Sequence, residues 1–187
     1  KKLYENRVML SLWHEQEQGD DTKIFLARIL EELLQGLPFH YGCIIIRPLA
    51  QIGPEVILAR IERKREGKDE FSVTDILERS DRTHWLSSLS PELKQFLLRS
   101  NQESAQNLRL QQDTITAPIE ADGKRQKIAV MSLRLAQGKQ YMGSLHLITE
   151  NDRSSLSKAD EEFLLSVAAQ ISVALENRAL QYSTRVD

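Results

Sequence analysis

The residues of this chain best suited to hold a metal or attack a substrate are four histidines, His14, His40, His84 and His146, and one cysteine, Cys43. A tetrahedral metal site takes three or four nitrogen and sulfur ligands, some of them usually close together in sequence. No H-x-E-x-x-H or comparable spacing occurs here, and Cys43 could join a histidine only through the tertiary fold. Metal binding is therefore not expected. The phosphate-cradling patterns G-x-x-x-x-G-K-[ST] and G-x-G-x-x-G and the nucleophile elbow G-x-S-x-G are also missing from the sequence. Ser87, Ser88 and Ser90, with Asp75, Glu78 and Asp81, sit among turn-forming residues, where capping and turns account for them. His14-Glu15 is followed by Gln16-Glu17-Gln18-Gly19 and not by the Arg-x-Pro of a phosphoacceptor helix, so it reads as an exposed histidine near a helix end. No residue set points to catalysis.

The composition agrees with a single ordinary domain. The chain has 187 residues, 41% hydrophobic and 28% charged, with a net charge of −2. That balance gives no field for nucleic acid. The basic run Arg60–Lys68 is broken by glutamates and reads as a solvated edge or loop. A lone cysteine cannot form an intramolecular disulfide, which suits a reducing, cytoplasmic compartment. No apolar run approaches the roughly 20 residues of a membrane span, so direct membrane insertion is not expected. The chain opens at Lys1 and closes at Asp187 inside a helical pattern, and it reads as a piece of a longer polypeptide whose parent could be membrane-anchored.

The elements that would position any site follow from the hydrophobic periods. Lys1–Gln18 carries Tyr4, Val8 and Leu12 at helical spacing, before a break at Gly19-Asp20-Asp21. Asp21 or Thr22 caps a second helix whose stripe is Ile24, Phe25, Ile29, Leu30, Leu33 and Leu34; Gly36 and Pro38 end it. Phe39–Leu49 is apolar at both parities, the mark of a central strand covered on both faces, and Val56–Glu62 pairs with it nearer an edge. Short helices are expected at Thr74–Arg79, Thr83–Leu89 and Pro91–Ser100, the last with Ser90 as cap and Pro91 in its first turn. Asn101–Gln112 reads as a loop or edge, and Thr114–Ile119 as a strand. Lys127–Leu135 and Gln140–Thr149 flank Ala136–Lys139 as a hairpin. A long helix then starts at Ser157, with Asp160 and Glu161 in its first turn, and runs to Tyr182. Leu164, Ala168, Ile171, Leu175 and Tyr182 form one face of it and Phe163, Val167 and Ala174 a second; one face is expected to pack on the sheet while the other stays free for a partner.

Four segments together carry a family resemblance: Ala129–Leu135, Gly143-Ser144-Leu145-His146-Leu147, Leu156-Ser157-Lys158-Ala159-Asp160 and Ala168–Asn177. In order and spacing they resemble the closing half of a GAF domain, and the likeness extends over about Thr22–Leu180. The resemblance implies an α+β fold: a central antiparallel sheet of five or six strands, with terminal helices on one face and short helices and loops over the other. It implies residues 1–20 as an N-terminal signalling helix, 21–180 as the domain and 181–187 as the start of a C-terminal linker helix.

The family's sharper activities are tested by residues. Bilin attachment uses a cysteine beside a histidine in the middle segment; here Trp85 follows His84 and no cysteine is near, so covalent bilin is ruled out in that manner. Methionine sulfoxide reduction needs more than one thiol. Cyclic-nucleotide binding uses Asn-Lys, then Phe-x-x-x-Asp-Glu; this chain offers Asn151, Leu156, Asp160 and Glu161, with Asp152 in place of the lysine, and that ligand is not favoured.

The resemblance thus implies a non-catalytic sensory or regulatory domain in a bacterial signalling protein of the sensor kinase, cyclase, phosphatase or transcription-regulator type. A small molecule would bind between the sheet and Asp69–Ser100, with Trp85 and Phe71 as walls and Asp81, Arg82, Thr83 and His84 as polar contacts. Cys43 and His146 are expected in packed core roles. The terminal helices would form a homodimer and relay the signal to an effector in the same polypeptide. The competing expectation is a ligand-free dimerisation scaffold.

Overall fold

The computed structural model describes residues 22–37, 39–46, 55–63, 69–71, 89–103, 110–138, 140–150 and 156–186. They form, in chain order, α1 (Thr22–Gly36), β1 (Tyr41–Ile46), β2 (Glu55–Arg63), β3 (Asp69–Phe71), α2 (Pro91–Glu103), β4 (Leu110–Ala117), β5 (Gln126–Gln137), β6 (Gln140–Glu150) and α3 (Lys158–Val186). Among the described residues six strands make one antiparallel sheet in the order β3-β2-β1-β6-β5-β4. The fold is α+β, as the periodicities require.

β1 lies inside the sheet, paired with β2 on one side and β6 on the other, which is why both of its parities are apolar. Ile44 joins a first core, beneath α1 and α3, while Tyr41, Cys43 and Ile45 join a second core beneath α2. In the first core Leu26, Ile29, Leu30, Leu33 and Leu34 of α1 and Leu164, Val167, Ala168, Ile171, Ala174 and Leu175 of α3 meet Met131, Leu133, Leu135, Leu145 and Leu147 of the sheet. Each such leucine or isoleucine contributes roughly 1.5–3 kcal/mol of transfer free energy. The second core is smaller: Leu89, Leu93 and Leu97 pack with Ile128, Val130 and Ile148, besides the β1 residues.

Helix ends follow their capping residues. The Leu37 amide donates to Leu33 O at 3.1 Å, closing α1 just after Gly36. At α2, Ser90 Oγ accepts from the Leu93 amide at 3.1 Å. At α3, the Asp160 amide donates to Ser157 Oγ at 3.1 Å and the Ser157 amide donates to Asp160 Oδ2 at 3.3 Å, a reciprocal capping box with aspartate in the acidic place.

Several boundaries and one face differ from the sequence expectation. α2 runs on to Glu103, past Ser100, and β4 begins at Leu110, ahead of Thr114. β4 is an edge strand with Gln112, Thr114 and Thr116 exposed, so it needs no apolar run, and its first residues gave none to read. Asp69–Phe71, at the start of the segment expected to lie over the sheet, is itself a short strand paired with β2. On α3 the second apolar face is not free. Val167 and Ala174 are fully buried in the first core and Phe163 packs against it. At 3.6 residues per turn, positions 164, 167, 168, 171, 174 and 175 are one broad stripe, which the sheet and α1 consume. The expected helices at Thr74–Arg79 and Thr83–Leu89, and the segment Lys1–Gln18, lie outside the described residues, apart from Leu89 itself. Among the described residues no helix is long and apolar enough to cross a membrane.

Candidate functional site

Strict alternation in the central hairpin produces a polar block inside the second face of the sheet. Met131, Leu133 and Leu135 of β5 and Leu145 and Leu147 of β6 enter the first core. The opposite parity carries Ser132 and Arg134 on β5, Ser144 and His146 on β6. Register brings them together: Ser132 stands opposite His146, and Arg134 opposite Ser144, in adjacent positions of the same ladder. On β1 the corresponding partners of His146 and Ser144 are Cys43 and Ile45.

The block is dry. His146 and Ser144 are 0% exposed and Ser132 3%. His146 Nδ1 lies 2.8 Å from Ser132 Oγ, and Nε2 lies 2.8 Å from Ser144 Oγ. A neutral imidazole has one donor and one acceptor nitrogen, so one serine accepts from the ring while the other donates to it. Both ring nitrogens are satisfied, avoiding the cost of an unpaired buried polar atom. Burial pushes the His146 pKa down to about 4, and the ring is neutral at pH 7. A base that weak, bound on both sides and oriented by no carboxylate in these contacts, is poorly matched to activating a serine. The trio is a hydrogen-bonding unit rather than a nucleophile and base.

Arg134 differs from its neighbours. It is half-buried, its Nε is enclosed without a hydrogen-bond acceptor among the described residues, and its guanidinium carbon lies 5.8 Å from the centre of the Tyr141 ring. Among the described residues it takes part in no ion pair.

The cover of this face is tied down at one end. The Ser90 amide donates to Ile119 O at 2.9 Å, and Leu89 forms an isolated bridge with Glu120. Arg125 Nη1 meets Glu92 Oε1 at 2.8 Å while its Nη2 donates to Thr116 O at 3.0 Å. The N-terminal turn of α2 is thus attached to the β4–β5 side of the sheet. Elsewhere on the face, Tyr41 Oη donates to Glu150 Oε1 at 3.0 Å.

Cys43 is 1% exposed, and burial pushes its thiol well above the ordinary range, so no thiolate is available for attack or metal binding. Among the described residues no three histidine, cysteine, aspartate or glutamate side chains cluster as metal ligands. Asp160 and Glu161 are engaged at the start of α3, Asp160 in the capping box and Glu161 Oε1 with Gln112 Nε2 at 3.1 Å.

Of the ligand contacts expected from sequence, Asp81, Arg82, Thr83, His84 and Trp85 lie outside the described residues. Phe71 closes β3, its backbone paired with Ile61; its side chain is likewise outside them. Cys43 and His146 are buried as expected. The sequence reading missed Ser132, Arg134 and Ser144. Their signal was present as polar residues at one parity of two strands whose other parity is leucine and methionine.

No family model and no curated protein matches the chain. Solved structures do match over essentially its whole length. The GAF domain of a putative sensor histidine kinase from Pseudomonas syringae pv. tomato superposes with a TM-score of 0.55 at 15% identity, covering 100% of this chain and 95% of that one. The GAF domain of a phosphoenolpyruvate-protein phosphotransferase from Coxiella burnetii gives 0.56 at 8% identity, covering 97% and 98%. The phycoerythrobilin-bound GAF domain of a cyanobacterial phytochrome gives 0.54 at 11% identity, covering 97% and 100%. With its antiparallel sheet, terminal helices on one face and, among the described residues, α2 on the other, the chain has the GAF-domain fold.

Proposed function

We propose that this chain is a sensory or regulatory domain of a larger signalling protein. It is not catalytic itself. It binds a small molecule on the sheet face opposite α1 and α3, and passes the change through its terminal helices to an effector in the same polypeptide. The observation that carries this reading is the inequality of the two covers. One face is sealed by α1 with 15 residues and α3 with 29, whereas among the described residues α2, with 13, is the helix on the other. That second face holds a buried polar trio and an arginine with an unsatisfied Nε, in place of the leucines that fill the first. With fewer buried side chains among the described residues, this cover opens at lower free energy than the long helices of the first face.

The GAF domains that the chain resembles come from a sensor histidine kinase, a phosphotransferase and a phytochrome, and the last of these holds a bilin. In this chain the one thiol, Cys43, is buried in β1, so a bilin would be held without that covalent bond. Trp85 and Phe71 serve as walls in this reading, with Asp81, Arg82, Thr83 and His84 as polar contacts. For the relay, α3 is about 43 Å long at 1.5 Å per residue. Leu175 is its last first-core residue among the described side chains, and the helix continues to Val186. A ligand shifts that helix only through unequal affinity for two arrangements of the cover.

Thermal shift and tryptophan fluorescence against nucleotides, tetrapyrroles and small metabolites test the reading, with Trp13→Phe isolating Trp85. A ligand that quenches Trp85, and whose affinity falls in Trp85→Ala, is the expected result. An authentic ligand to which neither Trp85 nor its neighbours respond would place the pocket elsewhere.

A further inference from the structure

We infer that Arg134, with Ser144 across the β5–β6 ladder, is an anion-binding position, and that the ligand of this face is a small molecule carrying a carboxylate or phosphate on an apolar body. The inference rests on the second face being the ligand face, and adds to it where the ligand points and what charge it bears.

Three features of the structure lead there. The first is Arg134 itself. A half-buried guanidinium normally finds a carboxylate, because taking a cation out of water is costly unless it is paired. Arg134 takes part in no ion pair among the described residues, and its enclosed Nε has no acceptor. The Tyr141 ring, 5.8 Å from the guanidinium carbon, supports one side of the group. A guanidinium held against a ring keeps its planar donor fork for an anion.

The second feature is the neighbourhood. Ser144 is directly opposite Arg134 in the register, and its hydroxyl is coupled to His146 and through it to Ser132. The ring is neutral and can take up either tautomer, so the chain of hydroxyl, imidazole and hydroxyl can turn a donor towards a ligand without acquiring charge. Among the residues whose side chains are described, the strand carboxylates on this face by register are Asp113, opposite Val130, and Glu150, opposite Ile128. Val130 is four residues from Arg134 along β5, roughly 13 Å away at 3.3 Å per residue. Glu150 accepts from the Tyr41 hydroxyl.

The third feature is the rest of the face. Cys43, Ile45 and Val130 are apolar and adjoin the polar block. These side chains are buried beneath the cover, so when the cover opens a molecule whose anion sits at Arg134 would lay its remainder over an apolar surface. Charge at one end and an apolar body at the other is the chemical class that both halves of the face recognise.

The test uses the full 187-residue chain at pH 7 and three probes: octanoate, octan-1-ol and inorganic phosphate. Affinity is measured by calorimetry, and the Arg134 Nε–H resonance is followed by NMR. Octanoate should bind and move that resonance, and octan-1-ol should bind about tenfold more weakly or worse, the scale of one lost charge-assisted hydrogen bond. R134Q should weaken octanoate by a similar factor and leave octan-1-ol unchanged, while R134K should recover part of the loss. R134Q without ligand should melt no lower than the parent protein, since it loses an unsatisfied buried donor. Phosphate that moves the Arg134 resonance and displaces octanoate would also support the anion site, with the free ion as a sufficient occupant. Equal affinity for octanoate and octan-1-ol, or no response to R134Q, would overturn the anion inference and leave the ligand face standing. If none of the three probes moves the Arg134 resonance, the inference fails, and the wider ligand panel against Trp85 decides the ligand face separately.

Discussion

The hydroxyl of Ser132 lies 2.8 Å from Nδ1 of His146, in the interior of the sheet, on rungs that face each other across β5 and β6. That pairing stabilises a neutral imidazole where a charged one would be severely desolvated.

A pH dependence follows. The His146 pKa falls from the ordinary 6.5 to about 4 through burial. Below pH 6.5 the unfolded chain therefore takes a proton that the folded chain refuses. The stability attached to His146 is complete above pH 6.5 and is lost as pH drops from 6.5 to 4, by about 3 kcal/mol in all. Urea midpoints from pH 7.5 to 4 should decline through that window, and more steeply than those of His146→Gln. Parallel declines in the two proteins would show that His146 titrates normally.

Cys43 should be inert. Its thiol is buried and its pKa raised, so an aromatic disulfide reagent should react with it at neutral pH only as fast as the protein unfolds. Cys43→Ala should cost about 1–2 kcal/mol, the scale of a small core truncation. Rapid labelling of the native protein would contradict the packing.

The two positive-φ glycines of the hairpin should respond unequally to alanine. Gly143 has φ +155°, and a Cβ there would run into Ile45 O on the neighbouring strand. Gly138, with φ +58° in the turn, has no atom within 4 Å of such a Cβ. Gly143→Ala should cost about 3 kcal/mol or more, through strain and displaced backbone. Gly138→Ala should cost about 1 kcal/mol, for the left-handed conformation alone. Denaturant titration distinguishes them, and a benign Gly143→Ala would mean that β1 and β6 can separate there.

At α2 the cap should outweigh the ion pair. Ser90→Ala removes the acceptor of the Leu93 amide and should cost about 1 kcal/mol. The Arg125–Glu92 pair is 61% and 50% exposed, so Glu92→Gln should cost well under about 1 kcal/mol. Hydrogen exchange should accelerate in α2 and not in α3 when Ser90 is replaced. Equal acceleration in both helices would show that the cover does not open on its own.

Association through the terminal helices belongs to the proposed relay. Since the described apolar stripe of α3 is buried, contacts between copies would come from the helix beyond Leu175 or from the segment before α1. Sedimentation across a concentration series should show self-association that weakens when the chain is trimmed to Thr22–Glu176. A monomer at every concentration would remove the homodimer from the proposal.

Local chemistry was enough to read the three described helices and most of the described strands. Ser157, Ser90 and Gly36 act within a few residues of themselves, and the covered status of β1 follows from apolar residues at both parities. Even the polar parity of β5 and β6 was written in the sequence, as Ser132, Arg134, Ser144 and His146 between leucines. Tertiary structure decided which of these residues meet. Ser132 finds His146, and Arg134 finds Ser144, because the short turn and the shift between Leu135 and Ala136 set one register, and a slip of one residue would send every side chain to the other face. It also decided the fate of α3. Val167 and Ala174 looked available on a helix considered alone, and they were claimed by a sheet and a second helix distant in sequence. β3 and the first residues of β4 were hard to see for the converse reason: an edge strand is stabilised by its neighbour's backbone, and backbone hydrogen bonds leave no mark in a sequence.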